Sequence, residues 1–268
     1  MTDSNSLSDA ARLRSSFSDF LRAERPDLLP AVSGASGIEG TTILALRFRD
    51  GVLMAGDRRA TAGMTIAQSD IEKVFPTDSH SAVGISGAPG PAIEIVRLFQ
   101  TELEYYEKVE GESLSLAGKA NHLGRLIRGN FPAALQGLIV VPLFGGYDVR
   151  AAEARIYSYD VTGGNYKEID YYATGSGGQH AKNTLKRLYT KAEDVDRDGA
   201  LRMAIEALAD AAEEDAATAG PDLVHRRYPT VFAITSDGAN QVPGADVEIV
   251  SRAVLEARGE RSAERGPT

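Results

Sequence analysis

The sequence predicts an α+β chain folded as a four-layer α-β-β-α sandwich, two antiparallel sheets covered by helix pairs. Three observations carry that expectation. After Gly40 the periodicities run strands, helix pair, strands, helix pair, strands, an order that a singly alternating parallel βαβ fold does not give. Two β-rich runs, 42–49 and 52–57, flank Asp50-Gly51, a dipeptide typical of type I′ hairpins. The apolar run 138–141 (Leu-Ile-Val-Val) reads as a strand buried on both faces.

The elements follow in order. After the opening hairpin, strands are expected at 81–86, 137–143, 155–159 and 168–173, with 230–235 and 247–253 near the end. Helical spacing of apolar residues falls over 91–109 and 114–130, then over 179–191 and 199–217. No repeat or central linker interrupts this stretch, so 41–258 reads as a single domain. Ahead of it, Leu13, Phe17, Phe20 and Leu21 suit a short amphipathic helix around 9–24. Pro26 and Pro30 end that helix, and 31–40 is a small, Gly/Ser-rich linker. Residues 259–268 are polar and read as an unstructured tail.

Composition removes several classes of function. The chain has 268 residues and no cysteine, which excludes disulfides, thiolate metal sites and a cysteine nucleophile. With 29 basic against 38 acidic residues and a net charge of −9, it lacks the positive surface that nucleic acid requires. Asp3 and Asp9 stand in a start with no apolar run, unlike a secretory signal, and no stretch nears the roughly 18–20 apolar residues of a membrane helix. A cytoplasmic chain without nucleic-acid or membrane partners is expected.

Familiar motifs fail one by one. Thr174-Gly175-Ser176-Gly177-Gly178 lacks the first glycine of a hydrolase elbow. His180 replaces the third glycine of a dinucleotide loop, and Ala120 follows Lys119 where a phosphate loop has a hydroxyl residue. The run Asp194 to Gly199 begins like a calcium loop, but Ile205 stands where the bidentate glutamate belongs. An acidic helix cap explains that run as well. The four histidines, His80, His122, His180 and His225, show no metal spacing and are expected on the surface.

Gly40-Thr41 survives this elimination. A threonine hydroxyl is too weak an acid to attack unaided. A free α-amine, with a pKa near ~7.7–8.0, is the best intrinsic base available to it. Cleavage between Gly40 and Thr41 would place nucleophile and base on one residue, and a glycine before the bond permits a strained, close approach. Asp57 and Lys73, if paired nearby, would hold a cation against that amine. Singly, Asp57 could end a hairpin, Lys73 could be a solvated charge, Gly87 a turn glycine and Ser176 a helix N-cap.

Several segments stand together in order and spacing: Gly40-Thr41-Thr42-Ile43, Ala55-Gly56-Asp57-Arg58-Arg59-Ala60-Thr61, Ile71-Glu72-Lys73-Val74, Ser86-Gly87-Ala88, Ala173-Thr174-Gly175-Ser176-Gly177, Asp215-Ala216-Ala217-Thr218 and Tyr228-Pro229-Thr230. From about Gly40 to about Val254 the chain resembles proteasome β subunits, those of the actinobacterial 20S particle in particular. The resemblance implies an N-terminal nucleophile hydrolase fold and a threonine peptidase whose leader, 1–40, is removed by self-cleavage. It implies Thr41 as nucleophile, Asp57 and Lys73 completing the catalytic group, and Gly87 as oxyanion donor, a contact worth roughly 3–4 kcal/mol in other hydrolases. Ser176, Asp215 and Thr218 match positions supporting the amine, with threonine at 218 where serine is common. Thr61 matches a position that pairs with extended substrate.

By the same resemblance Ala60, Ala67, Ile71, Ile85 and Ile93 line the first specificity pocket. All are apolar, so cleavage after hydrophobic residues is expected. Pro89-Gly90-Pro91 departs from the small alanines common beside that pocket. No metal or organic cofactor is implied. The implied partners are α subunits, other β subunits in heptameric rings (α7β7β7α7), a ring-shaped ATPase, and substrates tagged with a prokaryotic ubiquitin-like protein. Two alternatives stay open, an HslV-type threonine peptidase and a non-catalytic β-ring scaffold.

Overall fold

A computed structural model describes residues 40–62 and 65–265. The leader helix and linker expected before Gly40 lie outside the described residues. Two five-stranded antiparallel sheets form the centre. The first runs β10-β1-β2-β11-β12, from β1 (Thr42–Phe48), β2 (Gly51–Gly56), β10 (Tyr171–Gly175), β11 (Thr230–Thr235) and β12 (Gly238–Gln241). The second runs β5-β6-β7-β8-β9, from β5 (Val74–Asp78), β6 (Ser81–Gly87), β7 (Val140–Asp148), β8 (Glu153–Tyr159) and β9 (Asn165–Glu168). A small hairpin, β3 (Ala60–Ala62) with β4 (Thr65–Gln68), stands apart from both.

Alternation along β1 explains the layers. Ile43 and Ala45 point between the sheets, where they meet Val74, Leu143 and Ile156. Leu44, Leu46 and Phe48 point the other way, onto α4 (Gly178–Leu188), α5 (Arg197–Glu214) and α6 (Gly244–Arg265). The outer face of the second sheet carries α1 (Pro89–Glu110) and α2 (Leu116–Gly129), with the short α3 (Phe131–Ala134) after them. Their shared core includes Phe99, Leu123, Ile127 and Phe144. The four layers are as the sequence predicts, except that the first sheet carries three helices.

That third helix corrects one expectation. Residues 247–253, read as a strand for their β-branched content, lie inside α6. Val247, Ser251 and Val254 are buried and Val250 packs with them, which is the i, i+3, i+4, i+7 pattern of a helix. The tail read as unstructured continues α6 to Arg265, over a run of the good helix formers Ala, Glu and Arg.

Other boundaries shift for physical reasons. The hairpin turns at Arg49 and Asp50, with Phe48 paired to Gly51. Neither turn residue has a positive φ, so the turn is not type I′. Strand β7 starts at Val140; Leu138 and Ile139, expected in a buried strand, are 38% and 42% exposed. Region 168–173 breaks at Ile169 and Asp170 between β9 and β10. Prolines at the first turn of α1 suit a position whose N–H has no helical partner. Asp196 caps α5 by accepting from the Gly199 N–H at 2.7 Å, so the acidic run is a helix start. Of the histidines expected on the surface, His225 is exposed while His80, His122 and His180 are half-buried; His122 bonds to Glu102, with its ring 5.9 Å from that of Phe99.

Phe99 is fully buried and meets Phe144 edge-on, their centroids 5.8 Å apart. Phe99→Ala is expected to lower the unfolding free energy by about 3–5 kcal/mol, read from urea titration. A loss under about 1 kcal/mol would mean that this outer core does not hold the helix layer to its sheet.

Candidate active site

Strand pairing brings three strand ends to one place. β1 lies between β10 and β2, with Thr42 opposite Gly175 and Ile43 opposite Gly56. The Gly40-Thr41 peptide therefore leaves the sheet between Asp57, just past β2, and Ser176, just past β10. The Ser176 N–H donates to the Thr41 carbonyl at 2.9 Å, and the Asp57 N–H donates to the Thr42 carbonyl at 3.1 Å. Thr41 itself is 6% exposed.

On the β2 side the Asp57 carboxylate is fully buried and accepts four hydrogen bonds. Oδ1 takes the Thr42 N–H at 2.8 Å and the Lys73 ammonium at 2.7 Å. Oδ2 takes the backbone N–H groups of Arg59 at 2.9 Å and Ala219 at 3.0 Å. A carboxylate offers about four acceptor positions, so this one is saturated. Its office is to hold a cation and a backbone in place. Lys73 is buried, donates to the Arg59 carbonyl, and brings its Nζ to 3.5 Å from the Gly40 carbonyl oxygen. Its own carbonyl accepts from Ile85, which ties the lysine to the second sheet. Neither a hairpin end nor a solvated charge describes this pair.

On the β10 side hydroxyls converge on Asp215. α5 stops before it, three residues short of the expected end, leaving Asp215 as the C-cap and 216–218 as loop. Its Oδ2 accepts from the hydroxyls of Ser176 and Thr218, both at 2.5 Å, and Oδ1 accepts from the Ala217 N–H at 3.1 Å. Partial burial raises the Asp215 pKa, but the bonds from Ser176, Thr218 and Ala217 outweigh it and leave the carboxyl below its ordinary value. Ser176 does not cap α4, whose N-cap is Gly177.

Proton direction follows from the carboxylate. An ionised carboxylate only accepts, so Thr218 gives its single proton to Asp215. The 2.6 Å contact between the Thr218 and Thr42 hydroxyls then has Thr42 donating. Thr42 accepts in turn from the Gly177 N–H at 2.9 Å. The buried result is a one-way chain, Gly177 N–H to Thr42 to Thr218 to Asp215. Sequence reasoning assigned no role to Thr42; its only signal was the second threonine of Gly40-Thr41-Thr42.

Gly87 ends β6 with φ of 101°, and a Cβ there would stand 2.1 Å from the Ile139 carbonyl oxygen. No side chain fits that turn. Thr61 acts locally through its side chain: Oγ1 accepts from the Gly40 N–H at 3.0 Å. Of the expected pocket residues, Ala60 is buried on β3, Ile71 is half-buried, and Ala67 lies exposed on β4. Ile85 is buried and Ile93 packs beside it in the core under α1.

Two facing antiparallel sheets between helix layers, with a threonine at the head of a central strand, make the sandwich of the N-terminal nucleophile hydrolases. A proteasome subunit family model matches residues 38–224, and the chain belongs to that family. It is 52% identical to proteasome subunit beta of Stackebrandtia nassauensis, over 91% of this chain and 91% of that one. The same identity holds for proteasome subunit beta of Saccharomonospora viridis, covering 95% and 93%, and of Acidothermus cellulolyticus, covering 91% and 87%. Within the family its likeness thus runs to β subunits, chains that assemble with other proteasome subunits. Among the described residues no helix is long and apolar enough to cross a membrane.

Lys73 and Asp57 make a buried pair, so removing one partner strands the other's charge. Lys73→Met is expected to cost about 3–5 kcal/mol of stability, measured by urea unfolding. Adding Asp57→Asn should recover part of that loss, because the stranded charge is gone while a side-chain oxygen still accepts backbone N–H groups. A double variant as unstable as the single would mean that the pair is not what the lysine stabilises.

Proposed function

We propose that this chain is a catalytic β subunit, a threonine endopeptidase that cuts unfolded proteins to peptides. Its nucleophile is Thr41, made N-terminal when the chain cleaves itself between Gly40 and Thr41. The observation that carries the reading is the Gly40-Thr41 peptide held between two polar groups, Lys73 with Asp57 on one side and the hydroxyls gathered on Asp215 on the other.

In self-cleavage the Thr41 Oγ adds to the Gly40 carbonyl carbon and gives up its proton. The C–N bond breaks, nitrogen takes the proton, and an ester joins Gly40 to Oγ. Water then hydrolyses the ester, leaving a carboxylate on Gly40 and a free amine on Thr41. Lys73, 3.5 Å from the Gly40 carbonyl, opposes the negative charge that develops on that oxygen. In peptide cleavage the freed amine takes the Oγ proton as Oγ attacks, and passes it to the leaving nitrogen. The Gly87 N–H stabilises the oxyanion. Ser176, with its proton committed to Asp215, keeps lone pairs to accept from the amine. Residues 1–40 are the removable leader, 41–258 the peptidase domain, and 259–268 a C-terminal tail.

The apolar set Ala60, Ala67, Ile71, Ile85 and Ile93 favours hydrophobic residues at the cleavage position. The rings contain α subunits and β heptamers. A ring ATPase delivers chains tagged with a prokaryotic ubiquitin-like protein, in the cytoplasm, and no metal takes part in these steps.

Intact mass of the assembled particle tests the reading. The parent should lose residues 1–40, whereas Thr41→Ala should keep them and lose peptidase activity. An unprocessed parent in a complete particle would leave a scaffold. Gly40→Ala should also block processing, because a Cβ at Gly40 would stand 1.8 Å from the Ala217 Cβ. Normal processing of that variant would show that Gly40 is not confined as described. For specificity, fluorogenic peptides with Leu or Tyr before the cut should be turned over faster than one with Arg; a preference for Arg would defeat the apolar pocket.

A further inference from the structure

Helix α5 ends in residues that oppose its own dipole. Its last turn has no basic residue, while Glu213, Glu214 and Asp215 crowd the end where a helix is already negative. The cations come from elsewhere. Arg258 of α6 meets Glu213 at 2.6 Å. Arg59, from the loop after β2, reaches the segment just past the helix. Its Nη1 donates to the Ala216 carbonyl at 3.0 Å and to the Thr218 carbonyl at 3.4 Å. These carbonyls lie beyond the C-cap Asp215, so the guanidinium grips the loop that follows the helix and not the helix end itself.

The main chain of Arg59 holds the other half of the site. Its N–H donates to Asp57 Oδ2 and its carbonyl accepts from Lys73. Between the two carbonyls gripped by the side chain lies Ala217, whose carbonyl oxygen would be 3.0 Å from a Cβ built on Gly40. One residue thus spans the Asp57–Lys73 group and the loop bearing Thr218. We infer that Arg59 is a positioning residue: its guanidinium keeps the 216–218 loop, with the Ala217 carbonyl and the Thr218 hydroxyl, in register with Thr41. This rests on the peptidase reading and deepens it. A threonine amine that must gain and lose a proton needs fixed acceptors, and this loop supplies them only while it is held.

Substitution isolates the side chain, since the bonds to Asp57 and Lys73 are main-chain bonds. The particle assembled with full-length Arg59→Ala chains is expected to lose about tenfold to a hundredfold in kcat on a hydrophobic fluorogenic peptide, the scale of a small misplacement. KM should stay within about twofold, and leader loss should slow in an intact-mass time course. Added guanidinium ion should restore part of the activity of Arg59→Ala and none of that of Thr41→Ala. If Arg59→Ala does not assemble, Arg59→Met keeps the aliphatic stem and takes the same measurements. Parental kcat and processing in an assembled variant would overturn the inference, as would a loss that guanidinium does not relieve. A Thr41→Ala particle that still cleaves peptide overturns the peptidase reading instead, however Arg59 behaves.

Discussion

Asp57 Oδ1 accepts from the Lys73 ammonium and from the Thr42 N–H, while Oδ2 accepts from the backbone of Arg59 and Ala219. These four bonds fasten the head of β1 to the segment after β2, to the residue before β5 and to the loop after α5. Bringing two charges out of water is costly, and their attraction offsets that cost only with good geometry and every remaining site filled. Here every acceptor position is filled. The carboxylate can therefore stay buried, and Thr41 can sit at the rim of a packed core rather than on a loose end.

The second polar group answers the first across β1. Asp57 organises a cation and backbone N–H groups, whereas Asp215 organises hydroxyls whose protons all run toward it. Each carboxylate fixes its donors. This division depends on the sheets: β1 must be an inner strand for both groups to reach it, and it is, with β10 on one side and β2 on the other.

Much of this was legible in the sequence because it is local or periodic. The β-rich runs 42–49 and 52–57 about Asp50-Gly51 pointed to the paired inner strands, and helical spacing to the outer layers. Gly40-Thr41, Asp57 and Lys73 stood at spacings that a resemblance could recognise. What was not legible is mostly set by partners distant in the chain. Arg59 reads as one more arginine in Asp57-Arg58-Arg59 until the 216–218 loop is folded against it. Thr42 looks like a strand threonine until Thr218 and Gly177 surround it. In α6 the valines misled because their β-branched character suggests a strand, while burial spaced at three and four residues decided for a helix. Leu138 and Ile139 misled in the opposite way, since apolar residues need not be buried.

The bond between the Thr42 and Thr218 hydroxyls joins positions 176 residues apart, and the other contacts around Thr41 come from 57–61, 73, 176 and 215–219. No shorter stretch of chain contains the site. A partly folded molecule lacking the last helix layer or either sheet has the Gly40-Thr41 peptide but nothing arranged around it. On the proposed peptidase reading, such a layout makes cleavage at that peptide a report on completed folding, an inspection that precedes activity. Contacts of such long range carry a loop entropy that must be overcome before they form, so a site built from them exists only once the chain is folded.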